Sequence, residues 1–151
     1  MATNQDIIKM LQTSYWMELE TVMNYLANST NLDGIRSEEI REILSNEVQE
    51  EIGHAQQLAN RIKELDGIVE GSEKFKAEQK AGQPPQDTTD LKTVVEGVIQ
   101  SEKDAIDQYR KIIEATEQNG DYVTQDMCIA LQADEEKHLR LFRGFLKDLK
   151  M

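Results

Sequence analysis

The stretch Ser45–Leu65, SNEVQEEIGHAQQLANRIKEL, contains Glu51-Ile-Gly-His54, and 84 residues further on Glu135-Glu-Lys-His138 repeats the Glu-x-x-His spacing. Each motif follows another glutamate by 33 residues, Glu18 in the first half and Glu102 in the second, and His54 and His138 are the only histidines in the chain. The same offset of 84 carries Tyr25 onto Tyr109. Residues three apart on a helix share a face. The glutamate and histidine of each motif can therefore turn toward one metal ion, and the repeat implies two equivalent half-sites.

Outward from these motifs, apolar residues recur at steps of three and four, the signature of amphipathic helices. The first helix covers about residues 4–32, with Ile8, Leu11, Tyr15, Glu18, Val22, Tyr25 and Ser29 on one stripe, and stops at Asp33-Gly34. At 1.5 Å per residue it is ~40 Å long. The second, about 37–66, starts at the N-cap candidate Ser37, carries Ile40, Leu44, Glu47, Glu51, His54 and Leu58 on its stripe, and ends near Asp66-Gly67. The third, about 88–119, is capped by Thr88 or Thr89 and carries Val95, Val98, Glu102, Ala105, Tyr109 and Ile112. Asp121 caps the fourth, 121–149, whose stripe includes Cys128, Leu131, Glu135, His138 and Phe142. Residues 67–87 lack a sustained stripe and contain Pro84-Pro85, which cannot continue a helix. Two tight hairpins joined by this long connection predict an all-α four-helix bundle with a crossover between helices 2 and 3, which leaves those two helices parallel.

Composition bounds the remainder. A chain of 151 residues with 38% hydrophobic content is sized for one core, so 1–151 reads as a single domain. The lone Cys128 excludes an intramolecular disulfide and a cysteine-based zinc site, and it fits a reducing compartment. The opening MATNQDIIKM lacks the basic and long apolar regions of a signal peptide, and no run of about 18 apolar residues occurs. The expectation is a cytoplasmic protein without membrane contact. Net charge is -12, with 29 acidic residues against 17 basic, a field that repels nucleic acid and draws cations. Metal cations, not nucleic acid, are the expected partner.

Glu18, Glu51, His54, Glu102, Glu135 and His138 all fall on stripes that face the core, where an uncompensated carboxylate costs several kcal/mol. Four carboxylates, two neutral imidazoles and two divalent cations sum to zero charge, so the cluster can be buried. One Glu-x-x-His alone would read as a surface ion pair; two copies in core register, each at the same distance from a core glutamate, read as ligands. Tyr25 and Tyr109 lie two turns after Glu18 and Glu102. From there they can hydrogen-bond a ligand or supply an electron, with Tyr109 the stronger case for a plain core tyrosine. Glu47 is expected to be solvated near the bundle's edge, and Trp16 and the methionines to be packing residues.

With these residues in place the chain resembles the ferritin-like superfamily, and within it bacterioferritin. The matching segments are Glu18 with Tyr25, Glu51-Ile-Gly-His54-Ala, and Asp121-Tyr-Val-Thr-Gln-Asp-Met127 leading to Asp134-Glu-Glu-Lys-His138. The six-ligand layout is the known pattern of dinuclear carboxylate bundles. The resemblance implies that Glu51 and Glu135 bridge two metals while Glu18, His54, Glu102 and His138 are terminal ligands. It also shows departures. Ile52 replaces the haem-binding methionine of bacterioferritins, so no haem is expected. Only 13 residues follow His138, too few for the fifth helix of cage-forming ferritins, which favours a homo-dimer over a cage. Ala105 occupies the place of an extra rubrerythrin glutamate, and the Cys-rich iron domain is missing.

The expected function is ferroxidase-type oxidoreductase activity. Two iron ions per chain, with manganese also compatible, are oxidised together by dioxygen or hydrogen peroxide in iron handling or oxidative-stress defence. The alternatives are an iron-storage cage subunit, a rubrerythrin-like peroxidase and a non-catalytic metal-binding bundle.

Overall fold

The computed structural model describes residues 1–150, and among them the only regular secondary structure is helical. Four long helices form: α1 (Asn4–Asn31), α2 (Glu38–Glu64), α3 (Leu91–Asn119) and α4 (Tyr122–Leu149). Helix α1 packs against α2, α3 against α4, and α1 against α3. The chain is thus an all-α four-helix bundle with its long crossover between α2 and α3. Among the described residues no helix is long and apolar enough to cross a membrane.

Helix starts show which local rules prevail. Thr3 opens α1 with a capping box, accepting from the Asp6 N–H while Asp6 accepts from the Thr3 N–H. Asp121 caps α4 by accepting from the Thr124 N–H. Ser37 does not cap α2. Its hydroxyl donates to the Asp33 carbonyl at 2.9 Å, and the chain enters α2 through a 3-10 turn at Ile35–Ser37. Helix α3 begins at Leu91 because Asp90 takes the cap, accepting from the Thr93 N–H. Thr88 is engaged elsewhere: its hydroxyl donates to Asp33 at 2.6 Å, tying the crossover to the α1–α2 loop. Helix α2 stops at Glu64, and Asp66 turns the chain with a left-handed φ of 64°.

The core divides into two apolar clusters with a polar layer between them. One holds Tyr25, Leu44, Val95, Val98 and Phe142; the other holds Ile7, Leu11, Leu58, Ile62, Tyr109 and Leu131. Along every helix the metal-type residues fall between the stretches that feed these clusters. Along the bundle axis the layer is therefore flanked by hydrocarbon on both sides, with the buried Glu47 as an exception on α2, and this limits water at both ends of the site.

The crossover is held by buried polar groups of α1. Glu20, 4% exposed, accepts from the Glu78 and Gln79 N–H groups, and Asn28 donates to the Gly82 carbonyl. A side chain at Gly97 would collide with the Ala81 carbonyl, so glycine lets the crossover lie directly on α3.

Candidate metal centre

All six residues singled out as ligands converge. Glu18, Glu51, His54 and Glu135 form one set whose ligand atoms all lie within 4.8 Å of one another, and Glu51, Glu102, Glu135 and His138 form a second. Glu51 and Glu135 belong to both sets. The four carboxylates are at most 2% exposed, and His54 and His138 are 3% and 7% exposed. One side chain comes from each of α1 and α3 and a Glu-x-x-His pair from each of α2 and α4.

The 84-residue repeat extends to the surrounding hydrogen bonds, which run crosswise between halves. The Tyr25 hydroxyl donates to Glu102 Oε1 at 2.6 Å, and the Tyr109 hydroxyl donates to Glu18 Oε1 at 3.0 Å. Tyr109 is therefore not a plain core tyrosine; it mirrors Tyr25. His54 Nε2 lies 3.0 Å from Asp134 Oδ2, and His138 Nε2 lies 2.8 Å from Glu50 Oε2. Neither carboxylate was anticipated from the inner stripes, since both are partly exposed, but the offset that relates Glu51 to Glu135 also relates Glu50 to Asp134.

Glu47 corrects an expectation. It is buried at 3% exposure, not solvated, with its Oε1 4.0 Å from His138 Nε2. Its repeat counterpart is Leu131, so this carboxylate has no mirror image. An opening of about 290 Å³ lined by Glu47, Glu50, Asp134, Lys137, His138 and Leu141 lies over this side of the centre.

Burial and mutual repulsion govern the ionisation of the metal-free cluster. Burial pushes Glu135 well above the usual carboxylate range, reinforced by Glu102 and Glu51. Burial also acts on Glu51, but the imidazoles of His138 and His54, each 3.4 Å away, hold it below its ordinary value. Burial opposes protonation of His138, yet Glu102, Glu51 and Glu47 together raise it to about 11. His54 is raised against the same opposition by Glu51 and Asp134. Burial lifts Glu47 to about 8. Burial, and then the charges of Glu102 on Tyr25 and Glu135 on Tyr109, keeps both phenols protonated far above their normal range. Burial takes the Cys128 thiol up to about 12, which makes it inert.

The donor set fits a pair of divalent cations. Seven buried atoms facing the centre, Glu18 Oε2, both oxygens of Glu51, Glu102 Oε2, Glu135 Oε1 and the Nδ1 atoms of both histidines, have no hydrogen-bond partner. Buried polar atoms in folded proteins are otherwise almost always satisfied. Asp134 and Glu50 are placed to accept from the Nε2–H groups, so that a cation displacing the second imidazolium proton would meet an Nδ1 lone pair directed inward, the tautomer that metal ligation needs. Oxygen-rich ligation with imidazole suits iron or manganese.

Comparison with known proteins agrees with this geometry. The family model for the Ferritin-like domain matches residues 8–151. The bacterioferritin-related protein from Bacteroides fragilis, described as a dodecameric thioferritin, aligns at 26% identity with a TM-score of 0.89, covering 98% of this chain and 88% of that one. A ferritin-like di-iron-carboxylate protein from Bacillus anthracis aligns at 23% identity with a TM-score of 0.83, covering 97% and 99%. In sequence, the DNA protection during starvation protein of Listeria innocua is 48% identical over 40 residues, which span 26% of this chain and 26% of that relative's length.

Proposed function

Because the chain belongs to the ferritin-like domain family, we propose that Glu18, Glu51, His54, Glu102, Glu135 and His138 hold two ferrous ions and that the protein is a ferroxidase-type di-iron oxidoreductase. Dioxygen or hydrogen peroxide is the oxidant, in iron handling or oxidative-stress defence. The observation that carries this reading is the overlap of two four-ligand sets through Glu51 and Glu135. Paired iron supplies two electrons to the oxidant at once. The chain's own residues supply the rest. Glu51 and Glu135 span both positions, Asp134 and Glu50 orient the imidazoles, and Tyr109 and Tyr25 orient Glu18 and Glu102. Tyr25, hydrogen-bonded to Glu102, would also deliver an electron. Two apolar clusters keep water away from both ends of the centre.

Self-association into a homo-dimer accompanies this reading. The dodecameric state of the Bacteroides fragilis relative favours a second one, in which the same centre feeds ferric iron into a shell. Solution mass separates the two.

Anaerobic loading with ferrous iron followed by air tests the centre. The native chain should give ferric absorbance that saturates at two irons per chain. Glu135→Ala removes a ligand common to both positions and should abolish that phase, a loss beyond the ~100-fold that orienting partners cost. Ferric absorbance of equal rate and stoichiometry in Glu135→Ala would refute the assignment.

A further inference from the structure

A second stripe, at steps of four, runs along α1 apart from the ligand stripe: Gln12, Trp16, Glu20, Asn24 and Asn28. Every member bonds the crossover. Gln12 exchanges two hydrogen bonds with the main chain of Glu70, at 3.3 and 2.8 Å, and Trp16 Nε1 donates to the Gly71 carbonyl at 3.0 Å. Glu20 accepts from the Glu78 and Gln79 N–H groups, Asn24 donates to Gln79 Oε1 at 3.0 Å, and Asn28 donates to the Gly82 carbonyl at 3.1 Å. As α1 advances so does its partner, so the crossover lies along the helix as a strap. Residues 65–90 form no helix of their own, and a stretch that long without regular structure is uncommon unless it has a task. On its other side the strap rests on α3. A side chain at Gly97 would strike the Ala81 carbonyl, and one at Gly82 would press on Asn24, Gln79 and Ser101. Glycine at both points lets the strap sink into the groove between α1 and α3.

One strap side chain reaches both helices. On α1, Gln79 Nε2 donates to Thr21 Oγ1 at 2.7 Å and to the Met17 carbonyl at 3.4 Å. From α3, the Ser101 hydroxyl donates to Gln79 Oε1 at 3.5 Å. Met17 immediately precedes Glu18, and Ser101 immediately precedes Glu102. Those two glutamates are the single candidate ligands that α1 and α3 contribute. The buried tyrosines join the same helix pair, Tyr25 through Glu102 and Tyr109 through Glu18. Helices α1 and α3 are therefore bracketed twice, inside by the phenols and outside by Gln79. We propose that Gln79 is a positioning residue for the metal centre: held in place by Glu20, it fixes the spacing of α1 and α3 and so places the Glu18 and Glu102 carboxylates. This rests on the six-ligand reading given above. Glu20 makes the outer bracket firm, because a carboxylate accepting from main-chain N–H groups forms bonds roughly twice as strong as neutral ones, and at 4% exposure it meets little competing water. A misplacement of ~1 Å transmitted from a distance can cost ~100-fold at a reacting centre. The bracket therefore has to yield only slightly for the ligands to respond.

Cobaltous ion tests the placement, titrated into the full chain by calorimetry and followed by its visible absorption, which reports ligand geometry without any oxidation. The native chain should take up two ions. Gln79→Ala should bind them about 10-fold more weakly, the lower end of what loss of an orienting partner costs, and the cobalt spectrum should change shape. Gln12→Ala is the control. It removes a strap bond six residues before Glu18, ~9 Å along the helix, so it should lower the melting temperature to a similar degree while affinity and spectrum stay native. Thr21→Val keeps the side-chain volume but deletes the acceptor 2.7 Å from Gln79, and it should weaken binding roughly threefold, the worth of one neutral hydrogen bond. This milder variant reports even where Gln79→Ala folds poorly. Native affinity and spectrum in Gln79→Ala and Thr21→Val, or an equal loss of affinity in Gln12→Ala, overturns the proposal. A native chain that takes up no cobalt refutes the ligand assignment itself, and this inference with it.

Discussion

His54 is held by Asp134 at 3.0 Å, and one turn before Glu135 its half of the centre has Leu131. His138 is held by Glu50 at 2.8 Å and also has Glu47 4.0 Å away, in the place that the repeat gives to leucine on the other side. The candidate coordinating atoms, the carboxylates beside the imidazoles and the tyrosines obey the duplication; the extra carboxylate does not. A buried acid is costly unless it is paired or protonated. Its presence on one side only means that the halves share a ligand geometry but differ in how tightly they hold protons.

The largest effect that sharpens this contrast is expected from the orienting carboxylates. Loss of such a partner typically weakens metal binding 10–100-fold. Asp134→Ala leaves His54 Nε2 with no acceptor and should cost near the upper end of that range. Glu50→Ala should cost less, because Glu47 remains close enough to His138 to take over. Anaerobic calorimetric titration with ferrous iron measures both, and equal losses would mean that Glu47 lends His138 no support.

A smaller effect concerns pH. In the metal-free chain His138 keeps its proton to about 11 against an ordinary 6.5, and Glu47 to about 8 against 4.5. The folded chain then binds more protons than the unfolded one, across pH 6.5 to 11 for His138 and 4.5 to 8 for Glu47. Stability without metal must therefore fall as pH rises through those windows. Metal binding expels these protons. The rise in melting temperature on adding divalent metal should thus be greater at pH 8 than at pH 6. Glu47→Gln removes one of the two protons and loosens the other, so it should flatten that rise. A gain independent of pH in the native chain would show that the ligands bind no protons for metal to displace.

The unequal legibility of the two halves has the same origin. Helical stripes reveal residues that face the core, and all six proposed ligands lie on them, so periodicity and the 84-residue offset suffice to find the candidates. Glu50 and Asp134 approach the imidazoles from the rim, outside any apolar stripe, and only the offset marks them. Glu47 does lie on the inner stripe, but whether a stripe carboxylate near the edge is buried depends on what packs over it, and its neighbour His138 arrives from α4. The start of α3 was equally hidden. Thr88 is a good local cap, but a bond to Asp33, 55 residues away, draws it into the crossover and leaves Asp90 to cap the helix. Local chemistry is readable in one dimension; the competition for a side chain by distant partners is not.

The smallest expected effect distinguishes positioning from electron supply. Tyr25 serves Glu102 in the His138 half and Tyr109 serves Glu18 in the His54 half, each by one hydrogen bond from a phenol that burial keeps protonated. A hydrogen bond of this kind is worth ~1 kcal/mol net, or roughly fivefold in rate. If both tyrosines only hold a carboxylate in place, Tyr25→Phe and Tyr109→Phe should each slow ferric formation several-fold and to a similar degree. Donation of an electron by Tyr25 would break that equality. Tyr25→Phe would then be slower than Tyr109→Phe by more than about tenfold, since no rearrangement of Glu102 could compensate for a missing reductant. Rapid-mixing absorbance on the two variants side by side decides the matter, because each serves as the other's control for the lost hydrogen bond.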